Sequence, residues 1–140
     1  MSRTTTLRAL AISAMLALLA FALGGCGATD TLDGTSWKLT GWSVSAINPA
    51  DFTITASFSD GQIGGNGGVN SYGGPYEIGA DNAFIIGTIT STLMAGSDEA
   101  NAAESTYFAL LGQVRFAEVS GDTLTLTDAN GNELLIYTRQ

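Results

Sequence analysis

"GQIGGNGGVNSYGGPY", residues 61–76, carries seven glycines in sixteen positions, and two incompatible structures can be built from it. One is a phosphate-cradling loop; the other is a tightly wound piece of antiparallel sheet. A P-loop needs a lysine to neutralise phosphate and a following hydroxyl to hold magnesium, and residues 61–76 contain no lysine. A dinucleotide-binding turn needs a strand before it and a helix after it, whereas both flanks here alternate with period two. The sheet reading remains. Gly65, Gly67, Gly68, Gly73 and Gly74 then act as backbone devices that permit positive φ, bulges and sharp curvature. Asn70, Tyr72 and Tyr76 between them fix the turn by side-chain hydrogen bonds and aromatic packing. A recognition loop on the same segment is the alternative, because loops on a rigid scaffold often carry binding.

Working outward, "FTITASF" (52–58) alternates Phe52, Ile54, Ala56 and Phe58 against Thr53, Thr55 and Ser57, the pattern of a half-buried strand, and Asp60-Gly61 marks a hairpin turn after it. Trp37, Leu39, Trp42 and Val44 predict a first strand with an irregularity near Gly41. "VRFAEV", "TLTLT" and "ELLIYT" predict three strands near the end, separated by Ser120-Gly121-Asp122 and by Asp128–Asn132. The oxygen ligands of "DANGNE" lack the glycine and glutamate positions of an EF-hand loop, so Asn130-Gly131 reads as a hairpin turn instead of a calcium site. One segment breaks the period: Ala100, Ala103, Tyr107, Leu110, Leu111 and Val114 recur at helical spacing, with Glu99 and Glu104 off the stripe and Ser97 or Asp98 as cap. The expectation is an α+β fold, a strongly curved, barrel-like antiparallel β-sheet with one helix over about residues 98–112.

The chain has no histidine, which removes Ser-His-Asp and Cys-His triads, most zinc sites and the usual general base at neutral pH. Lys38 is the sole lysine and alternates with Trp37 and Leu39, so it belongs to a solvated strand face. No catalytic residue, metal ligand set or cofactor is expected, and the domain is read as non-enzymatic.

Residues 1–25 place Arg3 and Arg8 ahead of an apolar run from Leu10 to Leu23, the layout of a removed signal peptide. Leu23-Gly24-Gly25-Cys26 resembles a bacterial lipobox, so Cys26 is expected to be lipidated, with 26–35 a polar tether and 36–140 the folded domain. Two or more acyl chains hold a protein stably at a membrane, which makes Cys26 the anchor. After cleavage three basic residues remain against thirteen acidic ones, a net charge of −10, which disfavours nucleic acid and anionic headgroups alike.

"GNGGVNSYGGPY" (65–76), "STLMAG" (91–96), Glu104, Tyr107 and Leu110 on the helix, and "GDTLTLTDANGNELLIY" resemble the META (HslJ-like) domain over about residues 32–140. Gly68, Asn70, Tyr72, Gly74, Tyr76, Thr92 and Met94 are the motif positions taken as a family-motif or recognition loop. That family often has cysteines where Val69 and Gly96 stand, which implies that these two segments are neighbours. Its arginine after Ser-Thr is Leu93 here, so no anion-binding role is carried over to that position. The resemblance implies a curved β-structure with one helix, similar in shape to secretin pilot lipoproteins, a place in the cell envelope and stress physiology, and no assigned enzymatic activity. Two roles follow as expectations: binding an unknown envelope protein, by an exposed strand edge or by the Gly/Tyr-rich loop, or holding an acyl chain or hydrophobic peptide in a cavity of the sheet. In a diderm organism Gly27 after the lipidated cysteine would, by analogy, favour the outer membrane.

Overall fold

Two antiparallel meanders joined by one strand pair form the sheet. In the computed structural model, which describes residues 30–44 and 47–140, the first meander comprises β1 (Thr35–Trp42), β2 (Thr55–Ser59), β3 (Gln62–Asn66), β4 (Ser71–Ile78) and β5 (Phe84–Ile86). The short β6 (Thr90–Ser91) lies on the same edge of β4 as β5, and α1 (Asp98–Leu111) follows. The second meander is β7 (Phe116–Ser120), β8 (Thr123–Thr127) and β9 (Glu133–Arg139), and β9 returns to pair with β1. The order across the sheet is therefore β5-β4-β3-β2-β1-β9-β8-β7. Its outer strands almost meet: Ala83 bridges Phe116, and the Phe84 N–H donates to the Arg115 carbonyl at 2.7 Å. The result is a nearly closed barrel with one helix, the α+β class expected from the period-two runs. The signal segment, Cys26 and Gly27 lie outside the described residues.

Local chemistry explains most boundaries. Ser59 pairs with Gln62 across Asp60-Gly61, whose φ values of 52° and 73° are those of a two-residue primed turn. The irregularity expected near Gly41 is a register shift between Leu39 and Gly41. Ser97 caps α1 by accepting the Ala100 N–H, and Asp98 and Glu99 in the first turn face the positive end of the helix dipole. The turn at Asn130-Gly131 differs from the short hairpin expected: only Gly131 has positive φ, and the ladder stops at Thr127 opposite Glu133. The cause is Asp128, whose carboxylate accepts the N–H groups of Asn130 and Asn132 and the Asn132 amide, all at 2.8–2.9 Å, and so organises a wider loop.

Trp37, Leu39, Ile54, Ala56, Phe58, Ile63, Leu124, Leu126, Leu135 and Tyr137 point into the barrel, and α1 contributes Ala103, Tyr107, Leu110 and Leu111. This is the inward half of most alternations in the sequence, so burial of apolar area sets the register; Val44, expected in the first strand, lies beyond the end of β1 and is exposed. The domain starts earlier than the tether reading placed it. Leu32 is 1% exposed within the core, and the Asp30 carboxylate accepts the Leu32 N–H at 2.9 Å and the Tyr76 hydroxyl at 2.7 Å. One apolar side chain amid polar neighbours carries no periodicity, which is why the sequence reads there as linker.

The glycines work mainly by close approach, a correction to the positive-φ reading: of the five singled out in residues 65–74, Gly68 alone has positive φ, at 123°. Gly65 pairs with Tyr72, and a Cβ on it would fall onto the Thr55 carbonyl, the same oxygen that accepts the Tyr72 hydroxyl. By contrast, the nearest neighbour to a Cβ on Gly73 would be the Ile63 carbonyl at 3.5 Å, an ordinary contact. Gly65→Ala is therefore expected to cost about 3 kcal/mol and Gly73→Ala about 1 kcal/mol or less, measured by urea unfolding. Equal effects would show that the tight packing at Thr55 is not what selects glycine.

Candidate functional site

The motif residues converge on one side chain. Asn70, in the turn between β3 and β4, is 5% exposed and has every polar atom of its amide engaged. Its Nδ2 donates to Glu104 Oε1 at 2.6 Å and to the Met94 carbonyl at 3.1 Å, while its Oδ1 accepts the Met94 N–H at 2.6 Å and the Thr92 hydroxyl at 2.8 Å. Glu104 completes the node from the helix, its Oε2 accepting the backbone N–H groups of Val69 at 3.0 Å and Asn70 at 2.6 Å. Three segments far apart in sequence are thereby held together: the glycine-rich turn, residues 92–94 and the middle of α1.

Partial burial raises the Glu104 carboxyl, but the hydrogen bonds from the Asn70 side chain, the Asn70 N–H and the Val69 N–H outweigh it and hold the group below the ordinary glutamate range. Helical periodicity put Glu104 off the apolar stripe, as a solvated residue. It turns instead toward the glycine turn, where a Cβ added to Gly68, itself at positive φ, would lie 3.7 Å from the Glu104 Cβ. Only the family resemblance signalled it.

A second polar chain runs through the core beside this node. Tyr72 donates to the Thr55 carbonyl at 2.8 Å, lies 2.6 Å from the Tyr107 hydroxyl, and Tyr137 donates to Tyr107 at 3.1 Å. Because a carbonyl can only accept, the proton order is fixed: Tyr137 to Tyr107, Tyr107 to Tyr72, Tyr72 to Thr55. Burial foremost, and then the proximity of the other phenols, pushes all three hydroxyls well above the ordinary tyrosine range. No buried side-chain nitrogen or oxygen among the described residues lacks a partner. These phenols are buried and hydrogen-bonded to one another, and they tie α1 to β2, β4 and β9.

Of the predicted residues, the structure brings Asn70, Thr92 and Met94 into direct contact and puts Tyr72 one step away on β4. Gly68 packs on the helix, and Gly74 sits where a Cβ would meet the Thr88 carbonyl at 2.5 Å. Tyr76 is separate: buried at the other end of β4, it stacks on Phe84 with centroids 5.9 Å apart, and its hydroxyl meets Asp30. Burial and the Asp30 carboxylate both raise it above the ordinary range. Val69 and Gly96 are neighbours, as the resemblance implied; a Cβ on Gly96 would lie 2.7 Å from Val69 Cγ2.

What the node presents outward was not foreseen. With Thr92 and Met94 pinned by Asn70, Leu93 projects at 97% exposure and Met94 keeps its thioether side at 65%. Beside them, between α1 and the β5–β6 edge, runs an open groove of about 350 Å³ lined by Ile86, Ile89, Ser91, Phe108 and Leu111. Among the described residues no three acidic or cysteine side chains converge as a metal site would require.

A META-domain family model matches residues 30–140. Among solved structures, the NMR structure of a protein from Burkholderia xenovorans is similar at 28% identity and TM-score 0.65, covering 78% of this chain and 83% of that one. A second NMR structure is similar at 17% identity and TM-score 0.59, covering 76% and 90%. The crystal structure of a DUF4847 family protein from Bacteroides vulgatus matches at 13% identity and TM-score 0.57, covering 77% and 94%, a likeness of fold alone. No curated protein matches.

Asn70→Ala is expected to lower unfolding free energy by about 3 kcal/mol, since it strips partners from Met94, Thr92 and Glu104 together. Because Glu104 has its carboxyl lowered on folding, its stabilisation is full above the unfolded value and lost as pH falls through the folded one. Stability should therefore decline below about pH 4.3, and Glu104→Gln should flatten that limb in urea titrations run at successive pH values. The tyrosines act in the opposite direction: raised on folding, their stabilisation is full below about pH 10 and is lost as pH rises through their folded values. Tyrosinate absorbance should then appear together with loss of near-ultraviolet circular dichroism; stepwise ionisation of a folded protein would contradict the buried network.

Proposed function

The chain belongs to the META-domain family, and on that premise we propose that it is an exported, lipid-anchored cell-envelope protein whose domain binds another protein and carries no enzymatic activity. The anchor reading rests on Leu23-Gly24-Gly25-Cys26 and on the apolar run before it. What carries the binding reading is the contrast at the Asn70 node. Its polar groups are taken up internally, whereas the surface it braces is apolar and exposed at Leu93 and Met94. Monomeric proteins seldom expose such residues together on a braced segment without a partner for them. A surface with a net charge of −10 would be repelled by anionic headgroups, so the same residues are not a second membrane contact.

One observation favours a second reading, in which the domain holds an acyl chain or hydrophobic peptide. The groove beside α1 is lined by Ile86, Ile89, Phe108 and Leu111. The barrel interior is filled by Trp37, Tyr107, Tyr137 and Phe58, all fully buried, so such a ligand would lie in the outer groove. Native mass spectrometry of the purified protein separates the two, because a carrier retains lipid.

Labelling cells with an alkyne palmitate should mark the protein and leave Cys26→Ser unmarked; a blank wild-type lane removes the anchor. Photocrosslinking from position 93 in intact cells should capture one specific protein that the same probe at Val44 does not. Capture of nothing specific removes the binding role.

A further inference from the structure

The rim formed by β5, β6 and the residues after it differs from the rest of the surface in three respects. It is uncharged: no residue from Ala83 to Ser97 is acidic or basic, in a domain of net charge −10. It is apolar: of the large hydrophobic residues exposed among the described residues, Ile85, Leu93 and Met94 lie on it, Phe116 lies across the seam, and Val44 alone lies elsewhere. Its backbone is also open on one side.

That openness follows from register. Tyr76 faces Ile86 while the Gly87 N–H donates to the Pro75 carbonyl at 2.8 Å, and Tyr72 faces Ser91 while the Thr92 N–H donates to the Ser71 carbonyl at 3.0 Å. Both are non-hydrogen-bonded pairs, so the peptide groups of Ile86 and Ser91 point away from β4. Neither finds a backbone partner among the described residues. In a regular strand, residues at positions 86 and 91 would face opposite edges. Gly87–Ile89 lie opposite Gly74 and Pro75, a bulge of one extra residue, and it returns the two outward peptide groups to one phase. Proteins guard free edges with charges or proline, and Ala83–Ser97 contains neither.

We propose that this edge accepts, as an added β-strand, an extended uncharged segment of a partner protein flanked by basic residues. The inference rests on the protein-binding reading and specifies its mode. An acyl chain could fill the groove but would leave the Ile86 and Ser91 peptide groups without partners, whereas a strand supplies them. A second copy would bring −10 against −10. The rim is bounded by exposed acids at both ends, Asp81 before it and Asp98 and Glu99 after it, which select basic flanks. Arg115, near the seam, does not oppose this, because its guanidinium folds back onto the carbonyls of Gly112 and Val114 at 3.1 and 2.6 Å.

The test uses the detergent-solubilised full chain and a fluorescent peptide of alternating valine and threonine with two lysines at each end, followed by polarisation. Saturable binding is expected. N-methylation of alternate peptide nitrogens, which abolishes laddering but keeps the side chains, should weaken it by about tenfold or more, as should glutamates in place of the lysines. Leu93→Ala, at an exposed position, should weaken binding without changing the melting temperature, and Ser91→Pro, which removes an outward N–H and fixes φ, should weaken it as well. No binding, equal binding of the N-methylated peptide, displacement of the peptide by palmitate, or dimerisation of the protein in place of binding would each overturn the proposal. If crosslinking from position 93 captures a protein while the peptide fails, protein binding stands and strand addition falls; failure of both removes both.

Discussion

The fold depends on a carboxylate and an amide that meet across the top of the barrel. Without Glu104 the N–H groups of Val69 and Asn70 would lack an acceptor, and without Asn70 the chain from Thr92 to Met94 would have nothing to hold it. An Asn amide has two donors and an acceptor with two lone pairs, and here each is matched once. Such saturation makes the node rigid, since any displacement breaks several bonds together. It also explains how a segment as poor in apolar core residues as 65–70 is ordered at all. Hydrogen bonds to an ionised group do there what side-chain burial does in the rest of the sheet.

The same node joins the fold to its proposed role. α1 is not merely a lid on the barrel; through Glu104 it fixes the glycine turn, and through Asn70 it sets where Leu93 and Met94 stand. Tyr107, one turn further along the helix, enters the phenol chain that reaches Thr55 and Tyr137. Helix, turn and rim are therefore tied together through one side chain. A recognition surface gains from this, because preorganised side chains lose less entropy on binding. The glycine-rich motif is best understood as the scaffold of that surface, with its own aromatics Tyr72 and Tyr76 turned inward.

Much of the architecture was legible in the residues. The alternation in 52–58, 123–127 and 133–138, the Asp60-Gly61 turn and the stripe from Ala100 to Val114 each express a periodicity that burial on one face imposes, and these elements formed close to where expected, except that the second strand begins at Thr55, after a turn at Pro49–Asp51. Other features had no local signature. Leu32 lies alone among polar residues, so its burial depends on β2 and β4 arriving beside it. Asp128 displaced the short turn at Asn130-Gly131 because a carboxylate two residues earlier offered stronger bonds than the intrinsic preference. Glu104 looked solvated because helix periodicity says which residues are apolar, and is silent on which polar residue will meet another element.

By itself the sequence determined the class of the domain: histidine-free and acidic, with period-two strands and one amphipathic helix. These are local quantities, set by composition and by spacing within a dozen residues. Tertiary structure decided which residues are core and which are surface within the motif, because that choice depends on contacts between positions more than a dozen apart. Asn70, Tyr72 and Tyr76 went inward where partners waited for their polar atoms. Leu93 and Met94 stayed outside with the Met94 backbone held by Asn70, and the edge beside them stayed open because a one-residue bulge set its peptide groups facing away from the sheet.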